Sequence, residues 1–228
     1  ETSRADIQEM LNIHAPLTVV RPGVDELFFG QSGISWKSIS AEYGLQRPYL
    51  FHLGGTTPSK NSIAAVKAFK KFVDKTEQTE YTLAIRGVPS DGNSIATYVL
   101  EEDLDQFVTF LPFLTDEELH SIYQNSELFL LTSLYEGFGL TCLEAMASGT
   151  AVVATNRGAV PEVVNDTGIL VDPTNYTEIS SALERILTDE AEQQAIANQG
   201  RERAHQFTWQ STAEQLLEVY DRVLDRND

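Results

Sequence analysis

The sequence predicts an α/β protein built around a doubly wound parallel sheet. Short apolar runs of strand length alternate with longer stretches that carry apolar residues at helical spacing, and this alternation begins at Tyr49. The connections between the two kinds of segment are short. Repeated strand–helix units with short connections place helices on both faces of parallel strands, so we expect a sheet that is covered on both sides.

Six short apolar runs are predicted to form the sheet. In chain order they are Tyr49–Leu53, Tyr81–Ile85, Phe107–Phe110, Leu128–Leu131, Ala151–Ala154 and Ile169–Val171. Strands of a parallel sheet are buried on both faces and therefore consist of nearly continuous apolar residues, as in Leu128–Leu131. Such a sheet with helices on both faces is the Rossmann-like arrangement.

Six longer stretches between and after these strands are predicted to be helices. They are Ser62–Val73, Asp116–Gln124, Leu140–Ala147, Tyr176–Leu187, Glu190–Ala204 and Trp209–Leu224. The last of them has an apolar stripe along one side.

Residues 1–47 depart from the alternating pattern. They contain one helical stretch, Arg4–Leu11, one short apolar run, Leu17–Val20, and a turn at Arg21–Val24. We therefore predict that the Rossmann-like domain itself covers residues 48–228.

Composition and charge exclude several classes of function. The chain has 228 residues, of which 42% are apolar, and this is enough for one well-formed core. A formal net charge of −18 repels the phosphates of nucleic acids, so we expect no nucleic-acid partner, although a local basic pocket for a small phosphate ligand remains compatible with it. The lone Cys142 excludes an intrachain disulfide and is expected to be a small core residue.

The sequence gives no indication of a membrane span or of a secretion signal. No apolar run reaches the length of a membrane span, and the sequence does not open with a signal peptide. We therefore expect a cytoplasmic protein. Since Glu1 is not preceded by a methionine, the natural chain can begin further upstream.

Ligands of an open parallel sheet bind outside the carboxyl ends of the strands, so the loops that follow strands are the candidate site. The first is Gly54–Asn61. Its paired glycines, Gly54 and Gly55, let the backbone approach a ligand, and Lys60 adds a positive charge close to a helix N-terminus, which favours phosphate. The alternative is an ordinary strand-to-helix turn with a solvated lysine.

The second candidate loop is Glu136–Gly139, which lies just before the helix that starts at Leu140. Glu144 falls one turn into that helix, on a face that can look back to the loop. Carboxylates accept paired hydrogen bonds from vicinal hydroxyls of a ribose or pyranose. The alternative treats Glu136 as a turn residue and Glu144 as an exposed helix residue, but Glu144 stands in a largely apolar helix, where a carboxylate requires a partner.

Two further loops are weaker candidates. In Arg157–Glu162, Gly158 leaves the backbone free beside the sheet and Pro161 can open a short helix. In Ile85–Gly87, Arg86 and Gly87 can border the same cleft. Both segments are equally compatible with plain turns.

The histidines His14, His52, His120 and His205 show no metal-ligand spacing, and no arrangement of Ser, His and Asp indicates a nucleophile. His52 lies inside a predicted strand and is expected in the core. His120 and His205 lie on predicted helices and are expected to be surface or packing residues.

The motifs occur in an order that resembles a known family. The glycine loop with Lys60 is followed by Thr115-Asp116-Glu117-Glu118-Leu119, then SLYEGFGLTCLEAMASGTAVVAT from Ser133, then GAVPEVV and GILVDP. From about residue 15 to the end, the chain resembles the C-terminal domain of family 4 glycosyltransferases, a retaining group of GT-B fold. The resemblance implies the C-terminal half of a GT-B enzyme.

The resemblance also implies roles for the first two loops. Lys60 and Glu136 would be the catalytic residues. Lys60 would contact the diphosphate of the donor with help from the backbone of Gly54 and Gly55, while Glu136 would hold hydroxyls of the donor sugar. The backbone of Gly137, Phe138 and Gly139 would lie against the sugar and the diphosphate.

Other donor-binding roles follow in the same way. The amides of Leu140 and Thr141 would reach phosphate at the helix N-terminus, Glu144 would bind the ribose hydroxyls, and Arg86 and Gly87 would flank the nucleotide. The family has no cofactor and no obligatory metal, so Lys60 and helix dipoles would stabilise the leaving diphosphate.

The sequence departs from the family pattern in two respects. Many relatives have an arginine at the position of Gly55, so one cation near the diphosphate is missing here. Relatives also carry an N-terminal acceptor domain; residues 1–28 are similar to its tail, with the interdomain crossing at Arg21–Asp25, and residues 29–47 are interpreted as a connector. Without that partner domain this chain alone is expected to be inactive, and peripheral association of the full-length protein with a membrane is left open.

Taken together, these features predict the donor-binding domain of a retaining glycosyltransferase. The whole protein would transfer a sugar from a nucleotide diphosphate sugar to an acceptor, in glycan, polysaccharide or glycolipid synthesis. Two alternatives stay open: a catalytically degenerate domain that binds nucleotide sugars or assembles with a partner, and a non-hydrolysing epimerase, which shares the fold.

Overall fold

A computed structural model describes residues 1–11 and 15–225 of the chain. Within these residues the protein forms a six-stranded sheet in which every neighbouring pair of strands is parallel. The strands are β1 (Tyr49–Leu53), β2 (Thr82–Arg86), β3 (Val108–Leu111), β4 (Leu128–Leu131), β5 (Ala151–Thr155) and β6 (Ile169–Val171). The six predicted strands are confirmed, with bounds that differ by at most one residue at either end.

Strand order decides where a ligand can bind. The order across the sheet is β3-β2-β1-β4-β5-β6, so the chain first builds outward from β1 in one direction and then returns to add β4 on its other side. His52 of β1 pairs in register with Leu130 of β4 at this junction. This is the doubly wound order in which the crevice between the two halves of the sheet receives ligands.

Ten α-helices lie within the described residues. They are α1 (Thr2–Leu11), α2 (Trp36–Tyr43), α3 (Ser62–Thr76), α4 (Ser94–Glu101), α5 (Asp116–Asn125), α6 (Leu140–Ala147), α7 (Val160–Val164), α8 (Tyr176–Thr188), α9 (Glu190–Ala204) and α10 (Trp209–Leu224). The predicted helices are confirmed, and α7 has Pro161 in its first turn as expected. Helices α2 and α4 were not predicted. The run Leu17–Val20 forms neither helix nor strand, and His14 lies outside the described residues.

The sheet is buried on both faces because alternate residues of each strand point to opposite sides. On one side Phe51 and Phe129 pack with residues of α5, α6 and α7. On the other side Leu50 and Leu130 pack with α3, α4 and α8. Both faces are mainly apolar at the centre of the sheet, with the buried His52 of β1 as an exception, and this explains the nearly continuous apolar runs of the sequence.

The segment before the sheet joins the same core. Val24, Phe28, Ile39 and Leu45 are buried in the cluster that contains Phe51. The segment interpreted as a connector therefore includes α2 and packs on the domain, while the domain boundaries themselves stay predictions.

The last helix, α10, contributes no residue to the core, because none of its described side chains is buried. Its predicted apolar stripe is present and lies at the surface, with Leu217, Tyr220 and Leu224 each more than half exposed. None of the helices that the structure describes is both long enough and apolar enough to cross a bilayer.

Candidate functional site

The candidate site lies at the carboxyl ends of β1 and β4, where the strand order reverses. The loop after β1 carries Lys60, and the loop after β4 carries Glu136. Hydrogen bonds hold these loops together. The backbone N–H of Leu134 donates to the carbonyl of Ser59 (2.8 Å), Asn61 Nδ2 donates to the carbonyl of Thr132 (3.1 Å), and Thr132 Oγ1 donates to the carbonyl of Asn61 (3.0 Å). The two strongest candidate loops of the sequence therefore form one cleft.

Lys60 and Glu136 form an ion pair in this cleft. Lys60 Nζ lies 2.7 Å from Glu136 Oε1, and the side chains are 36% and 18% exposed. The hydroxyl of Ser133 donates to the same carboxylate oxygen at 2.6 Å. Since both donors contact Oε1, the second oxygen, Oε2, is not engaged by either of them.

The third candidate loop supports the backbone of Glu136. The N–H of Ala159 donates to the Glu136 carbonyl at 3.0 Å. Gly158 has a φ of +60°, and a Cβ at this position would lie 2.4 Å from the Glu136 carbonyl oxygen. Only glycine permits this approach, so the weakly predicted segment Arg157–Glu162 has a definite role, which is to hold the second loop in place.

The paired glycines of the first loop have different environments. A Cβ on Gly54 would lie 2.0 Å from Ser62 Oγ and 2.3 Å from His52 Nε2, so no larger residue fits. A Cβ on Gly55 would meet nothing closer than the Lys60 side chain at 3.4 Å. Ser62 Oγ accepts from the Gly55 N–H (3.0 Å) and lies 2.9 Å from its carbonyl, which fixes this turn.

Helix α6 begins at the floor of the cleft with Leu140 and Thr141. Its N-cap residue is Gly139, with a φ of +103°, and among the residues that the structure describes no side chain caps the helix. The first amides of a helix lack intrahelical partners and carry the positive end of its dipole. An uncapped start of this kind is suited to bind an anion.

Glu144 lies in the second turn of α6 and has the partner that its apolar surroundings require. The phenol of Tyr123 donates to Glu144 Oε2 at 3.2 Å. Burial raises the pKa of Glu144 to about 7; the Tyr123 hydrogen bond and Arg86 oppose that rise, and Asp116 adds to it. A carboxylate that titrates near neutral pH in a cleft is a candidate for ligand binding. Tyr123, which is also part of the core, was not predicted as a site residue.

Arg86 and Gly87 border the other end of the cleft. The N–H of Gly54 donates to the Arg86 carbonyl (3.0 Å), which joins the loop after β2 to the loop after β1. The Arg86 guanidinium lies 4.9 Å from the centre of the Phe113 ring, which is 82% exposed. A cavity of about 560 Å³ lies here, lined by Arg86, Gly87, Val88, Pro89, Leu111, Pro112 and Phe113. Phe113 was not predicted as a site residue, because a single aromatic residue in a loop has no distinctive pattern.

The three histidines that the structure describes have structural contacts. His52 is buried and its Nδ1 lies 2.8 Å from the Leu130 carbonyl, as expected for a core residue. His120 is buried edge-on to Phe28, and His205 stacks on Phe29. Both are packing residues, as predicted.

Cys142 is also buried, as predicted, and burial raises the pKa of its thiol. In the described ranges no three His, Cys, Asp or Glu side chains are placed to hold a metal ion. The expectation that no metal is required remains a prediction.

The fold is that of the Rossmann-like C-terminal half of a GT-B glycosyltransferase. The family model of glycosyl transferases group 1 matches residues 37–203, and the chain belongs to this family. The predicted resemblance is therefore confirmed.

Three proteins illustrate the relationship. The chain is 30% identical over 173 residues to the O-antigen chain mannosyltransferase B of Escherichia coli, in an alignment that covers 75% of this chain and 45% of that enzyme. It superposes on sucrose-phosphate synthase from Thermosynechococcus elongatus with a TM-score of 0.82 at 25% identity, over 99% of this chain and 57% of the other. It also superposes on the C-terminal domain of the glycosyl transferase group 1 family protein LpcC from Francisella tularensis, with a TM-score of 0.69 at 26% identity, over 81% of this chain and 97% of that domain.

These figures also show how much of each related protein the chain corresponds to. The alignments span 45% of the mannosyltransferase and 57% of the sucrose-phosphate synthase, so the chain corresponds to about half of each. It covers nearly all of the LpcC fragment, which was crystallised as a C-terminal domain.

Proposed function

We propose that this chain binds a nucleotide diphosphate sugar and that the whole protein transfers the sugar to an acceptor with retention of configuration. The observation that supports this most directly is the grouping of Lys60, Glu136, Glu144 and the uncapped start of α6 around one cleft. Together these groups suit the three parts of such a donor, which are the diphosphate, the nucleoside and the sugar.

The diphosphate would lie between Lys60 and the first turn of α6. Lys60 supplies a full charge, and the amides of Leu140 and Thr141 supply aligned donors. The backbone of Gly54 and Gly55, fixed by Ser62, would border the same phosphates. These groups would stabilise the charge that develops on the leaving diphosphate, which makes a reaction without a metal feasible.

The nucleoside would lie along Glu144 towards Arg86. The Glu144 carboxylate suits the vicinal hydroxyls of a ribose because it can accept two hydrogen bonds. Beyond it, the apolar cavity between Arg86 and Phe113 suits a planar base. Gly87 follows Arg86 at the edge of this cavity, and its backbone lies against that of Gly54.

The sugar would lie at Glu136, beside the backbone of Gly137, Phe138 and Gly139. Lys60 and Ser133 both contact Oε1 of Glu136, so Oε2 is the oxygen available for sugar hydroxyls. The acceptor would approach from the N-terminal domain that relatives carry, and for this reason we expect no transfer by these 228 residues alone.

Calorimetric titration tests the donor site. UDP, GDP and ADP are titrated into the wild-type chain and into Glu144→Ala, with Glu214→Ala on the exposed helix α10 as a matched carboxylate control. We expect one nucleotide to bind the wild type and the control equally, and to bind Glu144→Ala at least about tenfold more weakly, as loss of hydrogen bonds to a charged group predicts. If the wild type binds none of the three nucleotides, the donor site is disproved.

Gly55 favours a second candidate function, a catalytically degenerate domain that binds nucleotide sugars or assembles with a partner. Its position adjoins Lys60 and carries no second cation. A turnover assay on the full-length protein separates the two functions: transfer or hydrolysis of a nucleotide sugar above background excludes degeneracy. Analysis of the product distinguishes transfer from epimerisation.

A further inference from the structure

We propose that Ser133 is a positioning residue, which holds Glu136 so that one carboxylate oxygen stays available to the donor sugar while Lys60 moves to the diphosphate. This inference rests on the proposed function. It concerns a residue that does not itself touch the donor and acts through Glu136.

Ser133 is a rigid anchor. It is fully buried, two residues after the end of β4. Its neighbours on both sides are tied to the loop after β1: Thr132 Oγ1 donates to the Asn61 carbonyl (3.0 Å), and the Leu134 N–H donates to the Ser59 carbonyl. A hydroxyl held in this way keeps its position when a ligand enters the cleft.

The hydrogen bond from Ser133 to Glu136 is short and charge-assisted. Ser133 Oγ lies 2.6 Å from Oε1, within the range of O–H···O⁻ bonds that are stronger than neutral ones. The backbone of Glu136 is fixed separately by Ala159 and by the close contact with Gly158. With both its backbone and its carboxylate fixed, Glu136 has little freedom to rotate.

Lys60 differs from Ser133 in mobility. Its side chain is long and 36% exposed, and in the structure its charge is satisfied by Glu136 alone among the acidic groups described. An entering diphosphate offers it more negative charge, so Lys60 would shift towards the phosphates. Ser133 would then be the donor that keeps Glu136 Oε1 in place and Oε2 directed to the sugar.

The test compares a nucleoside diphosphate with its sugar-linked form. Both are titrated into wild type, Ser133→Ala, Ser133→Thr and the control Ser148→Ala; Ser148 is a buried serine whose hydroxyl has no partner among the described residues. The ligands are UDP, GDP and ADP, each with its glucose and mannose derivatives. The isolated chain is suitable, because a C-terminal domain of this family was crystallised on its own.

We expect Ser133→Ala to bind the nucleoside diphosphate within about twofold of wild type, because the charge of Glu136 beside Lys60 is unchanged. The nucleotide sugar should bind about tenfold more weakly, because the sugar depends on the orientation of the Glu136 carboxylate. Ser133→Thr, which keeps the hydroxyl, should restore most of the sugar-dependent affinity, and Ser148→Ala should match wild type.

Two results overturn the inference while the donor site stands. Equal weakening of both ligands by Ser133→Ala means that Ser133 only supports the loop, and unchanged binding of both means that Glu136 is oriented without it. Failure of the wild type to bind any nucleotide disproves the proposed function and this inference together.

Discussion

Lys60 Nζ and Glu136 Oε1 lie 2.7 Å apart although they belong to loops that follow different strands, β1 and β4. The strand order brings the two loops together, because β1 and β4 are neighbours at the point where the sheet reverses its direction of growth. The lysine therefore neutralises the glutamate in this arrangement. A donor would have to compete with Glu136 for this lysine, and this competition can be measured.

Replacing Glu136 with Gln should strengthen binding of a nucleoside diphosphate and weaken the contribution of the sugar. The change removes a negative charge beside the phosphate site and frees Lys60, so we expect affinity for the diphosphate to rise about threefold to tenfold. In the full-length protein, turnover should fall by at least about a hundredfold, the scale seen when a group that acts on the reacting centre is lost. Calorimetry and a steady-state assay provide the two measurements. Weaker binding of the diphosphate by Glu136→Gln would show that Glu136 helps to hold the phosphates.

Introducing an arginine at Gly55 should supply a second cation beside Lys60. The structure leaves room, because the first atom that a Cβ would meet is Lys60 Cγ at 3.4 Å. We expect Gly55→Arg to bind the nucleoside diphosphate about fivefold more tightly through an additional charge-assisted contact. Gly54→Ala is the matched comparison, and it should abolish binding because its Cβ would overlap Ser62 and His52. No gain in Gly55→Arg would mean that position 55 does not face the phosphates.

Nucleotide binding should release a proton near neutral pH. Burial raises the pKa of Glu144 to about 7, so in the free protein this group is partly protonated at pH 7. Ribose hydroxyls donate to the ionised form, which lowers its pKa on binding, and affinity should therefore rise between about pH 6 and pH 8. Calorimetry at pH 7 in two buffers of different ionisation enthalpy measures the released proton. Proton release that persists in Glu144→Gln would assign it to another group.

The sequence was a good guide to elements with strong local signals and a poorer guide to short helices. The start of α5 has a complete capping box, in which Thr115 and Glu118 exchange hydrogen bonds, and this start was predicted. Helices α2 and α4 have eight residues each, and Ser35 and Asn93 cap them. Helix α6 is equally short, but it consists mainly of the strong helix formers Leu, Ala, Met and Glu. Helices α2 and α4 contain more Ser, β-branched and aromatic residues, which favour a helix less, and this is why their sequences did not predict them.

The site was predictable in its residues and less so in its contacts. Glycine loops after strands pointed to Lys60 and Glu136, because parallel strands collect such loops at one edge. The contact of Gly158 with Glu136 and the hydrogen bond from Tyr123 to Glu144 depend on tertiary packing between segments that are about twenty residues apart. A single sequence contains no local pattern for such pairs. Ser133 is different, since a serine three residues before a glutamate is a local arrangement that could have been noticed.

His52 should make the stability of the domain depend on pH between about 6.5 and 4. Burial lowers the pKa of this histidine from 6.5 to about 4, an effect that a hydrogen bond with the Leu130 carbonyl partly opposes and Lys60 reinforces. As the pH falls through this range, the unfolded chain binds a proton that the folded protein does not, so the free energy of unfolding decreases by up to about 3 kcal/mol. Above pH 6.5 the contribution of His52 to the pH dependence disappears.

Urea unfolding at several pH values measures this dependence, with His52→Leu as the test variant and His205→Gln as the control. His205 is exposed and its ring stacks on Phe29, so its variant should follow the wild-type curve. His52→Leu is expected to be less stable at pH 8, because it loses the contact with the Leu130 carbonyl. It should nevertheless lose less stability than wild type between pH 6.5 and 4. Parallel curves for wild type and His52→Leu would show that other groups, and not this buried imidazole, set the response to acid.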